Sequence, residues 1–425
     1  MKETKKSKLP KIAALVLAAA LIVGLGVWAV LGGLSDGDEG LGSMTNHETG
    51  QSGSVSGTAN VTADGAIDAS TLFSSRDLRQ TAELDKAVTY TVSDGSDINI
   101  TAAGVYVLTG SAKNVTVYVE TTSNEKVQFV LDGLEIVNDD FPAFYVKKAD
   151  KVFFTTAENT ENYLSVTGTF AADGTTNTDG VIFSRDDLIF NGLGSLTVDS
   201  SDNGICTKDR IKITGGNLTV NAADCAIEAN DLFAMSDGVL TLTSANDCVH
   251  AENDDEDIKG HVYICGGTLN ITAKDDGIHA LSILQIDGGT LNISAAEALE
   301  ATWVQINDGA VTISASDDGI NGANKSSSYS ACIEIHGGTV SVDMGPGDTD
   351  GIDSNGDLTI DGGVISVNAQ SAFDWDGTLT WTGGTVSVNG TEVTEITNQF
   401  GAKGGFAGGP GGMGGFPGGD PGGRP

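Results

Sequence analysis

Between residues 89 and 397 the chain alternates apolar and polar positions in short runs that recur at a near-constant interval. A glycine pair followed by such a run occurs at Gly215-Gly216 (NLTVNA), Gly266-Gly267 (TLNITA), Gly288-Gly289 (TLNISA), Gly337-Gly338 (TVSVDM), Gly362-Gly363 (VISVNA) and Gly383-Gly384 (TVSVNG). Asp237-Gly238 (VLTLTS) and Asp308-Gly309 (AVTISA) fill the gaps in that series. Alternation with a period of two is that of a strand with one buried face. A second recurring unit has its apolar centre at Ile182, Ile205, Ile227, Val249, Ile278, Leu299, Ile320, Ile352 and Phe373. The intervals are 23, 22, 22, 29, 21, 21, 32 and 21 residues. The two long ones mark insertions, at residues 253–257 and 324–330.

A strand, a turn and another strand within about 22 residues cannot bury an apolar face alone. Stacked copies can, each pairing its backbone with the next about 4.8 Å away. Propeller blades need about 40 residues and leucine-rich repeats show LxxLxL, so neither fits. The pattern predicts an all-β fold, a right-handed parallel β-helix (a solenoid), since parallel crossovers take that hand by default. Glycine at 58 of 425 residues with only 7 prolines agrees with many turns.

The N-terminus has a different character. Residues 12–31 are uncharged and mainly apolar, and Lys2, Lys5, Lys6, Lys8 and Lys11 precede them. Twenty helical residues span roughly 30 Å, the thickness of a bilayer core. Lysines on the near side place the terminus in the cytoplasm and send the rest outward. One N-terminal transmembrane or signal helix is therefore expected, left uncleaved as an anchor; the alternative is secretion after cleavage. The expected divisions are 1–34 for the lysine cluster and anchor, 35–70 for a flexible acidic Gly/Ser/Thr linker, 71–398 for the repeat domain and 399–425 for a disordered Gly-rich tail.

The 22 basic against 58 acidic side chains give a formal charge of -36, which repels nucleic acid and excludes it as a partner. The five cysteines show no CxxC spacing. They are expected as small packed side chains, with a Cys225–Cys248 disulfide as the alternative in an exported protein.

The segments IFSRDDLIFNGLGSLTV from Ile182, GICTKDRIKITGG from Gly204, DGIDSNG from Asp350, GVYVLTG from Gly104 and VQFVLDGL from Val127 carry a resemblance. Together they are similar to the bacterial β-helical carbohydrate-binding domain family. The resemblance covers residues 71–390. It implies a pectate-lyase-like right-handed fold and binding of cellulose or acidic sugars with calcium. The repeat around Glu297 departs from it, lacking the Asp-Gly pair.

Aligned on the apolar centres, a polar residue follows each: Glu228, His250, His279, Glu300, Asn321, Asp353 and Asp374. Two residues before each stand Asp247, Asp276, Glu297, Asp318 and Asp350. Repeats about 4.8 Å apart would set these acids in rows, and neighbouring carboxylates raise one another's pKa. A hard cation with oxygen ligands relieves that, and Ca2+ is the expected cofactor. The richest patch supplies Asp317, Asp318, Asp348, Asp350, Asp353 and Asn355 as metal ligands, with residues 252–257 as a second candidate. His250, His261, His279 and His336 are expected as ladder residues rather than zinc ligands. Trp303 and Trp375 are the candidates for stacking on sugar rings, while Trp381, aligned with Ile360, is expected to face inward.

These features predict an extracellular, calcium-dependent, non-catalytic carbohydrate-binding protein whose partner is a polysaccharide, of cellulose or uronate type. It would be held to the outer face of the membrane through its N-terminal helix. A structural surface rod or adhesin is one alternative, and a calcium-dependent polysaccharide lyase is the other. A lyase would need a base beside the calcium; Lys208, Arg210 and Lys274 are possible bases, but none stands beside the acidic patch, which contains no Lys or Arg of its own.

Overall fold

The structure, a computed structural model, describes residues 67–346 and 350–399. Their strands belong to one 30-stranded sheet. Pairing is parallel throughout its ladders, except for a closing hairpin in which Ser387 faces Glu392. Successive repeats lie in register, so each apolar centre sits on the next: Ile205 on Ile227, Val249, Ile278, Leu299, Ile320, Ile352 and Phe373.

Alternation becomes burial directly. Strand Ala310–Ala315 (AVTISA) points Val311, Ile313 and Ala315 inward and leaves Ala310, Thr312 and Ser314 outside. The inward side chains form one continuous apolar core along the sheet. Towards its N-terminal end the core holds an aromatic column. Phe154 meets the edge of Phe144 at 4.9 Å between ring centroids and lies flat against Phe190 at 5.1 Å. Such pairs add to the burial of their area.

The fold class differs from the expected one. In place of a right-handed parallel β-helix preceded by one N-terminal transmembrane or signal helix, the described residues form an all-β, closed parallel sheet. No helix among them is long and apolar enough to cross a membrane, and the one helical element described is the turn Ala69–Thr71. Residues 12–31, on which the helix was expected, lie outside the described residues, as do most of the linker and the tail. Spacing determines which residues pair and which face inward, but not how the ladders join. Several strands run unbroken from one ladder to the next. Strand Ile278–Ala295 serves one ladder at Ile278, another at Ile283 and a third at Thr290. In the strands Arg210–Ala222, His261–Thr272 and Ile278–Ala295 the second glycine of a Gly-Gly pair lies on this passage. At Gly267 and Gly289 φ is 82° and 95°, a region open to glycine and strained for other residues.

The segment after residue 67 runs across the outside of this sheet. The backbone N–H of Ile67 donates to Gln285 Oε1 at 2.6 Å, and buried Asp77 pairs with Lys151 at 3.1 Å and Lys212 at 3.5 Å. Ile67 and Leu72 cover a satellite apolar cluster made with Leu232, Ala234, Tyr263 and Ile283.

The five cysteines are free. Ile227 pairs with Val249, so Cys225 stands level with Asp247 and Cys248 is one residue out of step. Cys248 packs in the main core and Cys225 does not, so the alternative disulfide is not formed.

Phe154 is buried in this column against Phe129, Phe144 and Phe190. Phe154→Ala should therefore destabilise the protein by about 3–5 kcal/mol, measured as a shift in the urea unfolding midpoint at unchanged slope.

Candidate functional site

In-register pairing converts the polar residue after each apolar centre into a continuous row. Glu228 pairs with His250, His250 with His279, His279 with Glu300, Glu300 with Asn321, Asn321 with Asp353 and Asp353 with Asp374. A second row runs beside it, in which Asp318 pairs with Asp350. The Asp276 N–H donates to Asp247 Oδ1 at 3.0 Å, and the Asp350 N–H to Asp318 Oδ1 at 3.3 Å. This second row is thus partly anchored to its own backbone.

The middle of the first row is an ionic network. The imidazole rings of His250 and His279 stack with centroids 4.6 Å apart and 8° between planes. His250 Nδ1 donates to Asp247 at 2.7 Å, and His279 Nδ1 faces Asp276 at 3.1 Å and Glu300 at 2.9 Å. Lys325 Nζ donates to the same Glu300 oxygen at 2.9 Å. The Asn321 amide bridges Glu297 and Glu300 at 3.0 and 3.2 Å.

Burial would raise Glu300, but its bonds to His279 and Lys325 overcome that and bring it down to about 2. Burial would lower His279; the carboxylates of Asp276 and Glu300 instead raise it to about 9. Glu297 shares the burial without a cation of its own and is pushed up to about 7. Asp353 is also pushed up to about 7, by burial first and then by Asp318, Asp374, Asp350 and Asp376. One end of the row is therefore neutralised by cationic side chains, and the other is a cluster of carboxylates.

Both insertions frame this row. Asp257, in the first, accepts from the Ser327 backbone N–H at 3.0 Å and from the Ser327 and Ser328 hydroxyls at 2.9 and 2.8 Å, all in the second. Lys259 anchors the first insertion on Asp231 at 2.9 Å. Glu252, at its start, reaches both histidines, and Lys325, in the second, reaches Glu300. Interval length alone revealed the insertions; their contact with each other has no signature in the sequence.

Of the expected metal ligands, Asp318, Asp350 and Asp353 come together, joined by Asp374 and Asp376. Asp317 and Asn355 lie exposed on the flanking turns, and Asp348 lies outside the described residues. Trp303 pairs with Ile283 on a different ladder, packs against the satellite apolar cluster and donates its Nε1–H to Glu334 at 3.0 Å. Trp375 pairs with inward-facing Ser354 and is half-buried against the main core. Trp381 pairs with Ile360 and borders the same core. His261 lies apart from the row, buried and held down to about 4 by desolvation.

Fold and site together define an all-β, closed-sheet protein with an acidic, hydrogen-bonding face. A family model described as carbohydrate-binding domain-containing protein matches residues 94–302 and 296–404, well over half of the chain, and the chain belongs to that family. A carbohydrate-binding domain-containing protein of Acetivibrio thermocellus is 32% identical over 123 residues, which are 28% of this chain and 43% of that relative. The chain thus spans less than half the length of this curated relative. The structure of a polysaccharide lyase-like protein from C. thermocellum, a gadolinium derivative, is similar at 28% identity with a TM-score of 0.48. That similarity covers 53% of this chain and 96% of the other.

An acid with a raised folded-state pKa keeps a proton that the unfolded chain has already lost, so stability falls as pH rises between the two values. For Asp353 that window runs from about 4 to about 7. In chelator, Asp353→Asn should match the parent's urea midpoint at pH 4 and exceed it at pH 8.

Proposed function

We propose that the protein is an extracellular, non-catalytic carbohydrate-binding protein that holds an acidic polysaccharide through calcium on the carboxylate end of its polar row. The observation that carries this reading is the Asp353 cluster, in a chain of the carbohydrate-binding domain family. Its donors are carboxylate oxygens, the set a hard cation selects. Asp318, Asp350, Asp353 and Asp374 would hold the ion, and burial plus mutual repulsion make an empty cluster costly. Bound there, calcium supplies a positive charge to a uronate carboxylate that the acidic surface would otherwise repel. Trp303 and Trp375 are both half-buried, so neither presents a fully exposed ring to a sugar.

The state of the basic residues supports a non-catalytic reading. A lyase base must be able to accept a proton near neutral pH. Burial would lower Lys325, but Glu300 overcomes it and holds the ammonium above its ordinary value, and Glu228 does the same to Lys208. Arg210 is committed to Asp187 through bonds of 2.8 and 2.9 Å, and Lys274 is exposed. The lysine-flanked apolar segment and the abundance of calcium outside the cell support the extracellular setting.

Calorimetry of the full-length chain with oligogalacturonides should show binding that chelator abolishes. Asp350→Ala and Asp353→Asn should each weaken it at least ~10-fold, as loss of one partner in a charge-paired contact does. No unsaturated or newly reducing product should form. Chelator-independent affinity would remove calcium from the account, product formation would make the protein an enzyme, and absence of glycan binding would favour a structural rod.

A further inference from the structure

The histidine pair in the row has different chemistry from the carboxylate cluster, and the carbohydrate reading does not use it. Here two imidazoles stand on adjacent strands, directly paired. Each has its Nδ1 committed to a carboxylate behind it: Asp247 for His250, Asp276 and Glu300 for His279. Their Nε2 atoms are left to converge on Glu252, and the three potential ligand atoms lie within 4.8 Å of one another. His250 Nε2 is 3.2 Å from Glu252 Oε2. His279 Nε2 is buried, on a residue only 7% exposed, and has no hydrogen-bond partner; Glu252 Oε2 lies 3.7 Å away, too far for one. A buried ring nitrogen without a partner is costly. Here it is aimed at a second imidazole and a carboxylate.

We infer that His250 Nε2, His279 Nε2 and Glu252 form a site for a divalent transition-metal ion of the zinc type. Three features carry the assignment. Two imidazoles and one carboxylate suit zinc, whereas calcium takes oxygen ligands. A carboxylate on Nδ1 orients each ring and raises the basicity of Nε2, the usual support behind a metal-bound histidine. Finally, the site is open on one side, where His250 and Glu252 line a groove of about 340 Å³ shared with Lys208, Glu228, Asn230 and Asp254. Solvent or a ligand oxygen would complete the coordination from that groove. The ion takes the place of the buried Nε2 proton, and metal–ligand distances of about 2.0–2.2 Å require the two stacked rings to tip towards each other at their Nε2 edges.

Glu252 owes its position to the first insertion. Lys259 and Asn253 tie that loop to Asp231, at 2.9 and 2.6 Å. Glu252 itself is partly exposed and its backbone N–H bonds to Ala229 O, so the substitution Glu252→Gln keeps the loop's anchors and removes only the carboxylate charge.

The test is zinc titration by calorimetry, with Co2+ absorbance in parallel, on the full-length chain after chelation. The parent should bind one more Zn2+ than either His250→Ala or Glu252→Gln, and excess Ca2+ should not displace that ion. The Co2+ d–d band should be lost in both variants while the circular dichroism of each matches the parent's. Equal zinc stoichiometry and affinity in parent and well-folded variants would overturn the assignment. So would displacement of the ion by calcium.

Discussion

Parallel pairing in strict register is the constraint on which everything else in this structure depends. Each repeat satisfies its backbone groups on the repeats before and after it, so equivalent side chains recur at one strand spacing along the sheet. Inside, this produces an unbroken apolar core from Ile205 to Phe373. Outside, the same geometry forces polar side chains into rows without regard to their charge. A row of acids at that spacing must be neutralised by bases, by retained protons or by a cation. The first two of these solutions operate along one face. His279 and Lys325 neutralise Glu300, while Glu297 and Asp353 retain protons up to about pH 7. A divalent cation at the Asp353 end is the proposed third.

Much of this arrangement was legible in the sequence. Counting from one apolar centre to the next gives the pairs that the structure shows, from Glu228–His250 through Asp353–Asp374, because a period-two strand leaves no freedom in which side chain faces out once the register is set. The same counting placed Trp381 opposite Ile360. The joining of ladders was not legible. A right-handed β-helix behind an N-terminal helix was expected from short separate strands, whereas strands such as Ile278–Ala295 carry through several ladders and close the sheet. Periodicity contains no information about that continuity.

The insertions mark the other limit. Their existence follows from two long intervals, but the hydrogen bonds between Asp257 and the serines at 326–328 are made across about seventy residues. Lys325, in the second insertion, reaches Glu300, and Glu252, at the start of the first, reaches the histidines. The sequence showed no zinc constellation because spacing set the histidines one per repeat, and a single histidine per repeat is ordinarily a ladder residue. Only the positions of Asp247, Asp276 and Glu252 around them distinguish this pair. Likewise Trp303 occupies an outward register position, yet the satellite cluster under residues 67–73 shares its face, and no periodic pattern announces that cover.

The central claim is that stacking in register couples the charges of the row and prepares its Asp353 end for a cation. Carboxyl NMR titration of Asp353 in chelated protein tests this most directly. A midpoint near 7 is predicted, falling towards the ordinary aspartate range in Asp374→Asn or when calcium is added. An Asp353 that titrates near 4 in chelated protein, unmoved by calcium or by the loss of Asp374, would contradict the account.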